Sequence, residues 1–268
     1  MDVSFSGVGY TYPSGVEAVK GITLDVPSGQ RFAIVGQNGA GKTTLVRHLN
    51  GIFQPTVGTV HVGDWATTGH TIAELSARVG YVFQNPDEQL FARKVIDDVA
   101  FGPKNLGFDD ERAAALVAAA LEQTGLSAEA ESHPHHLSLS ERKRVALAAV
   151  LAMDTPVVVL DEPTTGQDEH GVRMIASIVA SLQEQGRTVI AITHDMDFCA
   201  ENFDRVVAMA HGEVLADGTP TEVFAKDDVL TEARVEAPQL ARLADALHWD
   251  RRPLTVDAFV EQLPRSGA

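Results

Sequence analysis

The apolar run Ala33-Ile34-Val35 ends in Gly36, and from there the chain reads G-x-x-x-x-G-K-T without a gap through Thr43. Glycines at this spacing let successive backbone N–H groups turn inward and cradle phosphate oxygens. A helix starting near Lys42 would point the positive end of its dipole at the same anion. In such a loop the lysine, Lys42, reaches the β- and γ-phosphates, and the hydroxyl of Thr43 ligates Mg²⁺. Gly36, Asn38, Gly39, Gly41, Lys42, Thr43 and Thr44 are therefore the candidate ligands of a nucleoside triphosphate.

Three more chemistry-bearing groups stand just past apolar runs. Asp161-Glu162-Pro163 follows Val157 to Leu160, Thr193-His194-Asp195 closes the run from Val189, and Gln84 follows Val79 to Phe83. A carboxylate at the end of a buried strand, beside a phosphate loop, is where a partner of Mg²⁺ belongs. Asp161 fills that place, and Thr43, Gln84 and Asp161 form the candidate Mg²⁺ set. Glu162 would sit by the γ-phosphate and polarise an attacking water. Acidic strand ends are common on solvated loops, so the weight of this pair comes from its company with Gly36 to Thr43. A histidine such as His194 often serves as a structural hydrogen-bonder, yet its position after a core strand brings it to the same sheet edge.

The elements that must hold these residues are legible in outline. Val3 to Tyr12 and Val19 to Val26 read as strands around the turn Pro13-Ser14-Gly15, and a further short strand lies between Gly58 and Gly63. The segment from Gln84 to Met153 changes to helical patterning, with Glu111 to Gln123 and Ser140 to Met153 its clearest parts. Strand, helix and strand then alternate over Val157 to Thr193, which predicts a parallel sheet. In the tail, Leu240, Leu243, Ala244 and Leu247 make one apolar stripe, expected to pack on its own domain, and a second helix is expected over Val256 to Leu263.

With 268 residues, 44% hydrophobic and 22% charged, the composition is that of a soluble globular protein with one substantial core. The longest apolar stretch, Val145 to Met153, is far short of the ~20 residues that cross a bilayer. The first residues lack the basic and apolar regions of a signal peptide. A single cysteine, Cys199, fits a reducing compartment. The formal charge of −16 argues against a nucleic-acid partner, since phosphate backbones need a basic face.

The phosphate loop, Gln84, Asp161-Glu162-Pro163, Gly166-Gln167-Asp168 and His194 occur in the order of the ATP-binding cassette (ABC) ATPases, which the chain resembles from about Val3 to Phe224. The resemblance implies an α/β fold: a phosphate-loop core with a parallel sheet, an N-terminal antiparallel β subdomain and an inserted α-helical subdomain. The implied ABC domain covers residues 1–225, with the insertion at about 85–153 and a short helical C-terminal extension at 226–268. By the same resemblance Tyr12 stacks on adenine, with Tyr10 as its rival. Gln84 is the Q-loop glutamine, Glu162 the catalytic base, His194 the switch histidine and Asp168 the D-loop aspartate that communicates across a dimer. ATP and Mg²⁺ are the implied ligands.

The stretches Tyr81 to Phe91 and Ala100 to Gly107, and the tail around Pro238-Gln239-Leu240 and Leu254-Thr255-Val256, are similar to ATPase subunits of energy-coupling factor (ECF) transporters, importers of vitamins or transition-metal ions. That likeness implies a peripheral location on the cytoplasmic face of the cell membrane. The Gln84–Phe91 segment would dock on a membrane T-subunit, Asp87 and Glu88 meeting its exposed arginines, while a separate S-subunit binds the cargo.

One motif departs from the family. Its signature reads L-S-G-G-Q, and here the positions are Leu137-Ser138-Leu139-Ser140-Glu141. Ser138 keeps a hydroxyl for the nucleotide of the opposite subunit, whereas Leu139 adds bulk and Glu141 adds negative charge near that anion. Ser138 and Glu141 also have capping-box spacing, so the helix should start normally. The altered signature favours a heterodimer with a second ABC ATPase, in which this chain's phosphate loop is closed by a partner's intact signature. In a homodimer, Leu139→Gly with Ser140→Gly should raise turnover. Alternatives are a nucleotide-binding but catalytically weak partner subunit and a soluble, non-transport ABC ATPase. His133-Pro134-His135-His136 reads as a solvated loop rather than a metal site.

Overall fold

The computed structural model describes residues 1–263. Its strands are β1 (Val3–Thr11), β2 (Glu17–Val26), β3 (Arg31–Val35), β4 (Val57–Val62), β5 (Trp65–Ala66), β6 (Val79–Val82), β7 (Val157–Asp161), β8 (Thr188–Ile192), β9 (Arg205–Ala210) and β10 (Glu213–Gly218). One sheet is antiparallel, in the order β2-β1-β4-β5. The other runs β10-β9-β3-β8-β7-β6, parallel throughout except for β10. The antiparallel N-terminal sheet and parallel core are those expected.

The parallel strands read as near-continuous apolar runs, with polar residues such as Arg31, Asp161, Thr188 and Arg205 only at their ends, because both faces are covered. Successive side chains point to opposite faces, so one strand feeds two cores. Phe32, Ile34, Val157, Val159, Ile190 and Ile192 pack toward the antiparallel sheet. Ala33, Val35, Val158, Leu160, Val189 and Ala191 pack on the other side, among the helices. A fully buried Val, Leu, Ile or Phe side chain among these contributes about 1.5–3 kcal/mol.

The helices are α1 (Lys42–Val46) after the phosphate loop, α2 (Ile72–Leu75) before β6, and α3 (Val95–Asn105), α4 (Asp110–Gln123) and α5 (Leu139–Ala152) between β6 and β7. Next come α6 (Glu169–Glu184) between β7 and β8, α7 (Met196–Asn202) before β9, and a tail of α8 (Pro220–Phe224), α9 (Asp227–Ala233), α10 (Gln239–Ala246) and α11 (Val256–Gln262). Local sequence explains the starts: Asp109 caps α4, and Thr71, Ser138 and Thr219 close capping boxes at α2, α5 and α8. No described helix is long and apolar enough to cross a membrane.

The tail stripe packs differently from expectation. Ala241 and Ala244 of α10 are fully buried, while Leu243 and Leu247 remain 44% and 49% exposed. The small alanines, three residues apart, let the helix sit close to its neighbours and turn the leucines outward. Arg252 then ties the tail, its guanidinium reaching Asp227 and Asp245 at 2.7 Å each. Residues 264–268 of the expected extension lie outside the described residues.

Candidate nucleotide site

Parallel register gathers the candidate residues. Ile34 pairs with Ile192, Asp161 with Ile192, and Val82 with Leu160, so the loops after β3, β8, β7 and β6 leave one edge of the sheet side by side. Ligands bind in such crevices beyond the carboxyl ends of parallel strands.

The phosphate loop begins at Gly36, with φ of 145°. A Cβ there would lie 2.2 Å from the carbonyl oxygen of Met209, and one on Gly41 (φ 98°) would lie 2.3 Å from that of Ala18. Only glycine fits either place. Asn38 and Gly39 form the exposed tip. The buried Nζ of Lys42 donates to the carbonyls of Gly36 at 2.6 Å and Gln37 at 3.0 Å. Burial lowers the pKa of Lys42, opposed by the negative charges of Glu162 and Asp161. The helix expected after the loop is only five residues long. A macrodipole needs more aligned peptides, so the loop amides and Lys42 carry most of the anion preference here.

Thr43 and Thr44 divide the work. Thr44 is buried, and its hydroxyl shares a hydrogen bond of 2.8 Å with the Tyr12 hydroxyl. Its side chain therefore anchors Tyr12, leaving only its backbone for phosphate. Tyr12 is half-buried, and its rival Tyr10 is stacked on Phe53 and edge-on to His48.

Asp161 is 1% exposed at the end of β7. Its Oδ2 accepts a 2.9 Å hydrogen bond from the Tyr81 hydroxyl, whereas its Oδ1 is buried without a protein partner. Burial raises the pKa of the carboxyl, and Tyr81, Arg47, Thr43 and Lys42 oppose the rise. A half-satisfied buried carboxylate close to a threonine hydroxyl fits a hard divalent cation, whose ligands are oxygens. Sequence reasoning missed Tyr81. The available signal was a phenol in the apolar run of β6, one strand away from Asp161 and on the same face.

Glu162 adopts φ of 54°, uncommon for a residue with a side chain. Its N–H donates to the carbonyl of Ile192 at 2.9 Å. Its Oε2 lies 2.5 Å from Nδ1 of His194 and accepts from the His194 backbone N–H at 3.3 Å. Burial raises the pKa of Glu162, while His194 and then Lys42 hold it down. The structure thus brings Lys42, Asp161, Glu162 and His194 together. Gln84 is exposed just past β6. A second glutamine, overlooked in the sequence, fixes that loop: Gln89 Oε1 accepts from the N–H of Phe83 at 3.2 Å, and its Nε2 donates to the carbonyl of Ala146 at 2.9 Å.

The signature positions turn toward their own chain. The Ser138 hydroxyl and N–H both donate to Glu141 Oε2, at 2.7 and 2.8 Å. The hydroxyl expected to meet a nucleotide is therefore committed to the capping box. The Ser140 hydroxyl donates to Gln167 Oε1, and Leu139 stays 48% exposed. Asp168 caps α6 through the N–H of Gly171. Asp87 and Glu88 already have cationic neighbours, Arg142 at 3.4 Å and Arg47 at 3.7 Å. Beside them a groove of about 380 Å³ is lined by Ile72, Phe83, Phe91, Phe101, Leu106 and Met153. Among the described residues no three His, Cys, Asp or Glu side chains are grouped to hold a metal, and His133 accepts from the N–H of His135.

Comparison with known proteins gives this geometry a family. The ABC transporter family matches residues 19–165. A putative ABC transporter ATP-binding protein of Methanothermobacter marburgensis is 44% identical over 242 residues, covering 89% of this chain and 86% of its own length. The energy-coupling factor transporter ATP-binding protein EcfA of Methanosphaera stadtmanae is 41% identical over 260 residues, 93% of this chain and 94% of that protein. Among solved structures, cbiO1 of Clostridium perfringens, part of the ABC transporter complex cbiONQ, aligns with a TM-score of 0.74 and 36% identity, covering 92% of this chain and 98% of that one. The chain is an ATPase of the ABC transporter family, an ATP-binding subunit of the energy-coupling factor type.

Proposed function

We propose that this chain hydrolyses ATP to drive an ECF-type importer of a vitamin or transition-metal ion, as one half of a head-to-tail dimer docked on a membrane T-subunit at the cytoplasmic face. Lys42 and the amides of Gly36 to Thr43 hold the β- and γ-phosphates, and Tyr12 stacks on adenine. Thr43, Asp161 and Gln84 hold Mg²⁺, which supplies positive charge against the phosphate oxygens. Glu162 orients a water in line with the γ-phosphorus and accepts its proton as the bond from phosphorus to the β–γ bridging oxygen breaks. His194 steadies the Glu162 carboxylate. Residues 1–225 form the ATPase domain and the remainder the extension.

The observation that carries the catalytic part is the buried Glu162 carboxylate, held by His194 at 2.5 Å beside a phosphate loop and its lysine. The apolar groove next to the Gln84–Phe91 segment supports the docking part. Phe91 and Phe101 are 64% and 51% exposed on its rim, a fit for a helix of the T-subunit. The S-subunit, which would carry the cargo site, is reached only through the T-subunit.

The committed Ser138 hydroxyl and the exposed Leu139 support a heterodimer, in which a partner's signature closes this chain's nucleotide. The deciding measurement is Mg-ATP turnover by the purified chain, with Glu162→Gln as control. Turnover abolished by the mutation fits the catalytic reading and favours a working homodimer. ATP binding without turnover until a second ABC ATPase is added fits the heterodimer. Binding without turnover even with every partner present would instead make the chain a nucleotide-binding subunit that has lost catalysis.

A further inference from the structure

Glu162 is a non-glycine residue in the left-handed region, and its neighbours must hold it there. The strand side does so through the Ile192 carbonyl. The opposite side is held by α5. Lys143 is 8% exposed, and its Nζ donates to the Glu162 carbonyl oxygen at 3.1 Å. Burying an ammonium is costly unless it is paired or hydrogen-bonded, so a lysine placed here fixes that carbonyl strongly.

One turn earlier on the same helix, Ser140 grips the other end of the same loop. Its hydroxyl donates to Gln167 Oε1 at 2.7 Å, and Gln167 Nε2 donates back to the Ser140 carbonyl at 3.2 Å. Positions three apart lie on one helix face, so both grips act from one side of α5. Gly171 in α6 makes room for the pair: a Cβ there would lie 2.5 Å from Gln167 Oε1 and 3.2 Å from Asp168 Oδ1. Its backbone is helical and needs no glycine, so space is what a side chain would take away. Leu139 lies against the same end of the loop, its Cδ2 3.7 Å from where a Cβ on Gly166 would sit. Glycine in place of Ser140 could not form the reciprocal pair.

We propose that the first two turns of α5 are an intrachain strut for the Glu162–Gln167 loop, with Lys143 and the Ser140–Gln167 pair as positioning residues for the Glu162 carboxylate. This deepens the reading of Glu162 as base and rests on it. In the proposed dimer, the turn that faces the opposite nucleotide thereby bears on this chain's own catalytic carboxylate.

The test compares the 268-residue chain with its Lys143→Met, Gln167→Ala and Gly171→Ala variants. Amide hydrogen exchange is measured without nucleotide, and kcat and KM for ATP are measured in whichever dimer turns over. The strut requires exchange across residues 162–168 to rise about tenfold or more in Lys143→Met and Gln167→Ala, with kcat down about tenfold at little-changed KM. Lys143→Arg, which keeps a donor, restores most of the rate. Gly171→Ala follows Gln167→Ala, although alanine on its own favours a helix. Unchanged exchange at 162–168 in both primary variants overturns the strut. So does a kcat that falls only as far as the folded fraction falls. If exchange rises as required but Glu162→Gln still turns over, the strut stands and the reading of Glu162 as base fails.

Discussion

Nδ1 of His194 lies 2.5 Å from Oε2 of Glu162, joining a side chain that is 64% exposed to one that is 7% exposed. The histidine reaches in from the surface to orient a carboxylate that burial would otherwise leave protonated more readily. His194→Ala should therefore lower kcat by about a hundredfold with nucleotide affinity retained, since misplacement of a general base costs about 10²–10⁴ in rate. Glu162→Gln should lower it at least as far. Steady-state kinetics with a separate binding titration checks both; a matching loss of affinity in His194→Ala would instead mean a disrupted loop.

Much of this arrangement was legible in the sequence because parallel strands announce their ends. Asp161, His194 and Gln84 each follow an apolar run, and parallel pairing obliges neighbouring strand ends to share an edge. Side-chain contacts across strands and helices carry no such periodic signal. Tyr81 under Asp161, Lys143 on the Glu162 carbonyl and Gln89 on the Ala146 carbonyl depend on three-dimensional packing between segments 80, 19 and 57 residues apart. The tail misled for a related reason. Periodicity identified one face of α10, but close packing selected the alanine edge beside it.

The loop glycines separate two effects that a sequence motif merges. Gly36→Ala forces a Cβ to within 2.2 Å of the Met209 carbonyl, whereas Gly39, with φ of 82°, has open space around it. Gly39→Ala should cost only the left-handed backbone penalty, about 1–2 kcal/mol. Gly36→Ala should cost more and abolish ATP binding, because strand and loop must part. Thermal unfolding and nucleotide titration of the two variants check the order. Equal losses would mean that the Met209 contact yields easily.

Tyr81→Phe tests the cation reading of Asp161. The phenol hydroxyl helps keep the buried carboxyl ionised, so removing it raises a pKa that burial has already raised. A more readily protonated carboxylate is a poorer ligand. The Mg²⁺ concentration needed for half-maximal turnover should rise, by up to about tenfold if the lost bond is worth about 1.5 kcal/mol. The increase should shrink at higher pH, where ionisation is restored. An unchanged Mg²⁺ midpoint would remove Asp161 from the cation set.

The signature departures are not equivalent, and this changes how restoring them should act. Leu139 is 48% exposed and Glu141 brings a carboxylate to the first turn of α5, so both stand against an incoming phosphate. Ser140 instead directs its hydroxyl to Gln167 within the chain. Leu139→Gly with Glu141→Gln should therefore raise turnover of the chain alone, and glutamine at that position can still close a capping box with Ser138. Ser140→Gly by itself should not raise it, because opening the approach also releases the Gln167 grip. Turnover assays on Leu139→Gly/Glu141→Gln, on Ser140→Gly and on the triple variant separate the contributions. A gain from Ser140→Gly equal to that from the other pair would mean that backbone freedom at the helix start, and neither bulk nor charge, limits this signature.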